Sequence, residues 1–165
     1  TEHKNISKKV INMNRPTTEA EIQARKAEAL KLIKRKSMYS SVAAIVPIPG
    51  LDVTTDMKLM SDIVNDINEL FGLSHKDVQK LPDSLKKKVL IMATSAGSEF
   101  IGRRVTKTII GIFFRSTAKK QVAKQSKYIP FIGQAVAGGI SYYMMKKMGE
   151  DHIEKCVNVS RRLIS

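Results

Sequence analysis

The chain has 165 residues, 42% of them hydrophobic, with one cysteine and no tryptophan. That length suits a single domain with a core of its own, and the lone Cys156 excludes an internal disulfide and fits a reducing compartment. Twenty-nine lysines and arginines against 15 acids leave a net charge of +14, an excess whose self-repulsion points to a polyanionic partner: a phospholipid surface, nucleic acid or an acidic protein.

Residues 1–16 read as a flexible basic arm ending at Pro16, with no apolar run of the secretory kind, and residues 17–165 as one helical domain. Thr17 or Thr18 supplies a helix cap, with Glu19 and Glu21 placed where the helix dipole favours acids. Ala20, Ala24, Ala27, Ala29, Leu30 and Ile33 are nearly all strong helix formers. This helix turns apolar from Met38 and stops at Pro47-Ile48-Pro49-Gly50.

From Leu51 to Phe71 the helical period is plain: Val53, Met57, Met60, Val64, Ile67 and Phe71 recur at steps of three and four. Asp52 caps this helix, and Asp62, Asp66 and Glu69 form another face that solvates the helix or docks against a basic surface. Gly72 ends it, Ser74 caps a short helix to about Leu81, and Pro82 breaks the chain. Leu85 to about Phe114 reads as one long helix, in which Ala93/Gly97 and Ser98/Gly102 offer small residues for a close neighbour. A short basic stretch from Arg115 to Lys127 follows. Pro130 opens a helix to about Met148, Gly149 ends it, and Asp151 to Leu163 forms a last amphipathic helix. No stretch shows the period-two alternation of strands, so the expected class is all-α, a compact bundle of five or six helices.

Val46-Pro47-Ile48-Pro49-Gly50 and Ile129-Pro130-Phe131-Ile132-Gly133 share an apolar–Pro–x–x–Gly pattern, each followed by a helix with a glycine about twenty residues on. The pattern fits two independent helical-hairpin turns, or a pseudo-symmetric pair of hairpins. The run Ala44 to Asp52 resembles the "IPIPGLD" element of a bacterial family of unknown function found beside or fused to Era-like GTPases. Ile129 to Ser141, with Gly133, Gly138 and Gly139, is similar to that family's C-terminal element and to EcsC-like proteins. The resemblance implies a helical domain with membrane-associated hairpins, a GTPase as partner, and no assigned activity.

The sequence contains neither G-x-x-x-x-G-K-[ST] nor G-x-G-x-x-G, and neither G-x-S-x-G nor H-E-x-x-H. A non-enzymatic chain without cofactor or metal is therefore expected, and any GTPase is another chain. His152 and Cys156, four apart, share a helix face; a partly buried cysteine beside a surface histidine is the expected arrangement, since two ligands make no zinc site.

Ile101 to Gly149 contains ten cations and no acid. Arg103, Arg104, Lys107, Arg115, Lys119, Lys120, Lys124 and Lys127 are the candidates for binding anions or lipid. Tyr128 to Met145 is eighteen residues without a charge. As a helix from Pro130 to Met145 it measures about 24 Å, short of the roughly 30 Å of hydrocarbon in a bilayer. Two readings stay open for it: a glycine-rich core helix of a soluble bundle, or an apolar hairpin that beds into a lipid interface. The functional expectation is a basic helical domain that associates with anionic membrane surfaces, cytoplasmic and peripheral at the inner face, as accessory or effector module of a GTPase system. The alternatives are a nucleic-acid-binding module, disfavoured by scarce aromatics among the basic residues, and a soluble partner-binding bundle.

Overall fold

The structure is a computed structural model that describes residues 15–45, 53–124 and 142–165, with side chains placed at 15–37, 57–113, 115–116 and 145–165. Among the described residues there are six helices and no strand: α1 (Glu19–Ile45), α2 (Val53–Leu70), α3 (His75–Gln79), α4 (Asp83–Ser95), α5 (Lys107–Lys124) and α6 (Tyr142–Ile164). The class is all-α and the arrangement compact, as composition and period indicate. The two turns built on Pro47, Pro49, Gly50 and Asp52, and on Pro130, Gly133, Gly138 and Gly139, lie outside the described residues, as do Lys127 and most of the N-terminal arm. Of the arm's last residues, Arg15 is half-buried and Pro16 buried.

Capping explains where α1 begins. Thr18 Oγ1 accepts the Glu21 amide at 3.2 Å, while the Glu21 carboxylate accepts the Thr17 amide at 2.7 Å. Donors that the first turn would otherwise leave open are met reciprocally. Ile22, Ala29, Ile33 and Ser37 then form the buried stripe, and Ala20, Ala24 and Ala27 face outward. Against that stripe lies α6, which runs antiparallel to α1. Glu19 meets Arg161 at 2.7 Å, Lys26 meets Glu154, and Ile33 lies against Gly149. Along α1 these contacts recur every seven residues, about two turns, so one face of α1 returns at every contact.

In α2 the expected stripe is the core: Met60, Ile63, Val64, Ile67 and Phe71 are fully buried, with Met57 packed on its edge. Its outer acids partly turn back on the chain, since Asp66 pairs with Lys36 of α1. Gly72 (φ +64°) closes α2: Leu73 N–H donates to Asn68 O at 2.8 Å and Gly72 N–H to Glu69 O at 3.1 Å. This is a Schellman ending, which needs a left-handed residue that glycine supplies without strain. Ser74 caps α3 as its sequence position implies, accepting the Asp77 amide at 3.2 Å.

Two expectations are corrected. The long helix from Leu85 to Phe114 is two helices, α4 and α5, joined by Ala96–Thr106. A second Schellman ending stops α4: Gly97 has φ +68°, Ser98 N–H donates to Ala93 O at 2.8 Å and Gly97 N–H to Thr94 O at 3.0 Å. The glycines read as a packing stripe are thus turn glycines, Gly102 with φ +73° as well. Beyond the turn, Asn65 clamps Val105 through both of its backbone groups, at 2.9 and 3.1 Å, and Thr106 caps α5.

The second correction is at Gly149, which lies inside one continuous helix, α6, and ends nothing. A Cβ there would stand 2.6 Å from Ile33 Cδ1, so the glycine is present for close approach rather than for a turn. Helix α6 packs on α1, α2 and α4, and α2 packs on α1 and α5, which places the core between α1, α2 and α6.

Candidate functional site

Of the eight cations expected to meet an anionic partner, four have placed side chains, and all four are exposed: Arg103 and Arg104 on the loop, Lys107 at the start of α5, and Arg115 two turns on. None of the four forms an ion pair among the described residues, whereas Lys26, Lys36, Lys58 and Arg161 are each matched to an acid. The cause is local sequence. With no acid between Ile101 and Gly149, α5 offers Lys107 and Arg115 no carboxylate at i±3 or i±4, and no salt bridge joins the loop's Arg103 and Arg104 to an acid among the described residues. Lys119, Lys120 and Lys124 belong to the last turns of α5.

On the fold the Arg103–Arg104 loop adjoins cations that the sequence places elsewhere. Lys76 is in the first turn of α3 and Lys80 follows its last residue, and Lys86, Lys87 and Lys88 lie in the first half of α4. Helix α3 leans on α4, and the Arg103 loop is tied to the chain just before α3: Gly102 N–H donates to Leu73 O at 2.9 Å, and His75 Nδ1 donates to Gly102 O at 3.2 Å. The Lys86–Lys88 run was the available signal. Its proximity to Arg103 depended on the turn at Gly97, which reads locally as helix.

The His152–Cys156 pair departs from the expected surface arrangement. Both residues are fully buried, and Asn68 of α2 joins them. His152 Nε2 lies 2.7 Å from Asn68 Oδ1 and 3.6 Å from Cys156 Sγ, while Asn68 Nδ2 donates to Phe100 O at 2.9 Å. Because Asn68 gives its N–H to Phe100, its oxygen must accept, so Nε2 carries the imidazole proton.

Cysteine, histidine and asparagine are the parts of a thiol hydrolase, but their arrangement here opposes that chemistry. The nitrogen nearest the thiol is the protonated one and cannot take its proton, and burial pushes the Cys156 thiol well above the ordinary range. The cluster is a polar tie between α2, α6 and the Phe100 loop, with the Phe100 ring edge-on to His152. No group of three metal-ligating side chains occurs among the described residues.

Burial, aided by the nearby Lys155 cation, pushes His152 from its ordinary 6.5 down to about 3. An unfolded chain takes up this proton near pH 6.5 and the native one does not, so the stabilisation is complete above 6.5 and drains away as pH falls. The expected slope approaches about 1.4 kcal/mol per pH unit. Chemical denaturation from neutral pH to about 5 reads this slope; a flat profile would show that His152 is protonated in the native state. Glu19, held low by its hydrogen bond to Arg161, and Glu21, held low by the Thr17 amide, lose their contributions only in more acid solution.

Among the described residues no helix is long and apolar enough to cross a membrane. No family model and no solved structure matches the chain. It is similar over 139 residues to Interferon-inducible GTPase 5 of Bos taurus, at 24% identity, and to the protein of that name from Rattus norvegicus, at 23%. The match takes in 83% of this chain and 29% of each relative, so the chain spans less than a third of the length of the curated relatives it matches. A Walker phosphate loop does not carry the likeness, because this sequence has none.

Proposed function

We propose that this chain is a non-enzymatic, basic helical module that associates peripherally with an anionic membrane surface at the cytoplasmic face, as accessory or effector part of a GTPase system. The observation that carries the reading is the exposed set Arg103, Arg104, Lys107 and Arg115, unmatched by acids in a stretch that contains none. Each cation held near an anionic bilayer contributes about 1 kcal/mol, so a handful suffices for reversible attachment. The GTPase connection is supported by the likeness to part of Interferon-inducible GTPase 5 and by the resemblance to domains that accompany Era-like GTPases.

Co-sedimentation with vesicles tests it. The expected result is binding to phosphatidylserine-containing vesicles and little to phosphatidylcholine alone, with release at high salt because exposed charges are screened. Retention after salt and an alkaline wash would replace the peripheral reading with insertion of the apolar stretch 128–145. Absence of binding to either vesicle overturns the membrane reading.

A further inference from the structure

Among the described residues Ile91 is the most exposed large hydrophobic side chain, at 67%, and its neighbour Leu90 is 40% exposed. Both lie on the outer side of α4, whose inner side buries Val89 and Ala93. Lys87 is one turn from each of them, and Lys88 is one turn from Ile91. The fold brings two more cations to the same place. A Cβ on Gly102 would stand 3.3 Å from Leu90 Cδ2 and 3.5 Å from Val78 Cγ2, so the chain leaves Gly102 for Arg103 and Arg104 beside Leu90. Two exposed aliphatic side chains therefore lie near four exposed cations, Lys87 and Lys88 on the same helix and Arg103 and Arg104 on the adjoining loop. From Ser74 to Lys107 there are eight lysines and arginines against Asp77, Asp83 and Glu99; Asp83 pairs with Lys86, and Asp77 bonds to Ser74.

We propose that this corner, the outer face of α4 with the Arg103–Arg104 loop, is where the protein meets an anionic phospholipid bilayer. Leu90 and Ile91 enter the acyl boundary, and Lys87, Lys88, Arg103 and Arg104 hold the headgroup phosphates around them. Aliphatic tips close to long basic side chains match a surface that is apolar below and anionic above. Nucleic acid fits less well, because the centre of the patch has no aromatic face for a base to stack on. The corner is also preformed. The Schellman ending at Gly97, the Gly102–Leu73 bond and the His75–Gly102 bond fix the loop, so contact requires little further ordering. The assignment rests on the membrane reading above and moves the contact away from the Pro130 stretch.

The test uses the full chain with an environment-sensitive dye on Ile91→Cys; Cys156 is buried and stays unlabelled. Vesicles of phosphatidylcholine, with and without phosphatidylserine, are the probe. A blue shift is expected with phosphatidylserine vesicles alone, and none from the same dye on Ile112→Cys, on the outer face of α5. Arg103→Gln with Arg104→Gln should weaken vesicle binding about 25-fold, at about fivefold per cation. Ile91→Asp should weaken it about tenfold or more, with helicity unchanged because the site is exposed.

If the chain sediments with anionic vesicles while the dye at 91 stays in water and these variants bind normally, the corner is overturned and the membrane reading survives. If the unaltered chain does not sediment at all, both fall. If the same substitutions abolish binding to an oligonucleotide and leave lipid binding intact, the corner is a nucleic-acid site and the proposal fails.

Discussion

Asn68→Leu should destabilise the domain by about 3–5 kcal/mol, although the two side chains are close in size. Asn68 is fully buried and makes two directed bonds, donating to Phe100 O at 2.9 Å and accepting from His152 Nε2 at 2.7 Å. Leucine would leave a carbonyl and an imidazole N–H buried without partners, each costing about 1–3 kcal/mol. The substitution would also release the Phe100 loop from α2. For a chain of this length the loss corresponds to a fall in melting temperature of about 8–16 °C. Asn65→Ala is the matched comparison. Asn65 likewise makes two bonds, to Val105, but is only half-buried, so water can replace them and about 1–2 kcal/mol is expected. Equal losses at the two positions would mean that the His152 cluster is hydrated and does not act as a dry tie.

Gly149→Val should cost about 3 kcal/mol and should be partly relieved by Ile33→Ala. The first added carbon already stands 2.6 Å from Ile33 Cδ1 and 3.0 Å from Cγ1, and Ile33 is 2% exposed, so its tip has little room to retreat. Two opposing effects set the outcome. A residue with a side chain gains up to about 1 kcal/mol of helix propensity over glycine in a helix interior, whereas overpacking a closed contact costs about 1–3 kcal/mol. For alanine these nearly cancel; for valine the extra methyl groups make the clash prevail. Ile33→Ala alone leaves a cavity and costs about 2–5 kcal/mol, but a valine side chain introduced at position 149 would fill that space. The double variant should therefore be more stable than the sum of the single losses predicts, by about 1–3 kcal/mol. Additive losses would show that α1 and α6 separate enough to admit a side chain at this point.

The parts of this protein legible in the sequence are those fixed within one helical turn or by a repeating step. The spacing of Met60, Val64, Ile67 and Phe71 dictates a buried face whatever it packs against, and all four are in the core. Ser74 caps α3 and Gly72 ends α2 because the atoms they satisfy are three to five residues away. The acid-free run after Ile101 fixes the unmatched charge of Lys107 and Arg115, because neutralisation along a helix is also a local matter.

What only the tertiary structure decided are the places where one residue type serves two purposes. Gly97 and Gly149 sit in similar helical patterns, yet Gly97 takes a left-handed turn and Gly149 stays in the helix to admit Ile33. A glycine removes steric conflict in both cases, and which conflict is present depends on a neighbour far away in sequence. The histidine at 152 is buried because Asn68, eighty-four positions earlier, offers it an acceptor in the core. Leu90 and Ile91 face water because the turn at Gly97 sends the chain back toward α3 and leaves the outer side of α4 uncovered. The balance of such choices is struck by packing between elements, and the free energies that settle it are absent from any single segment.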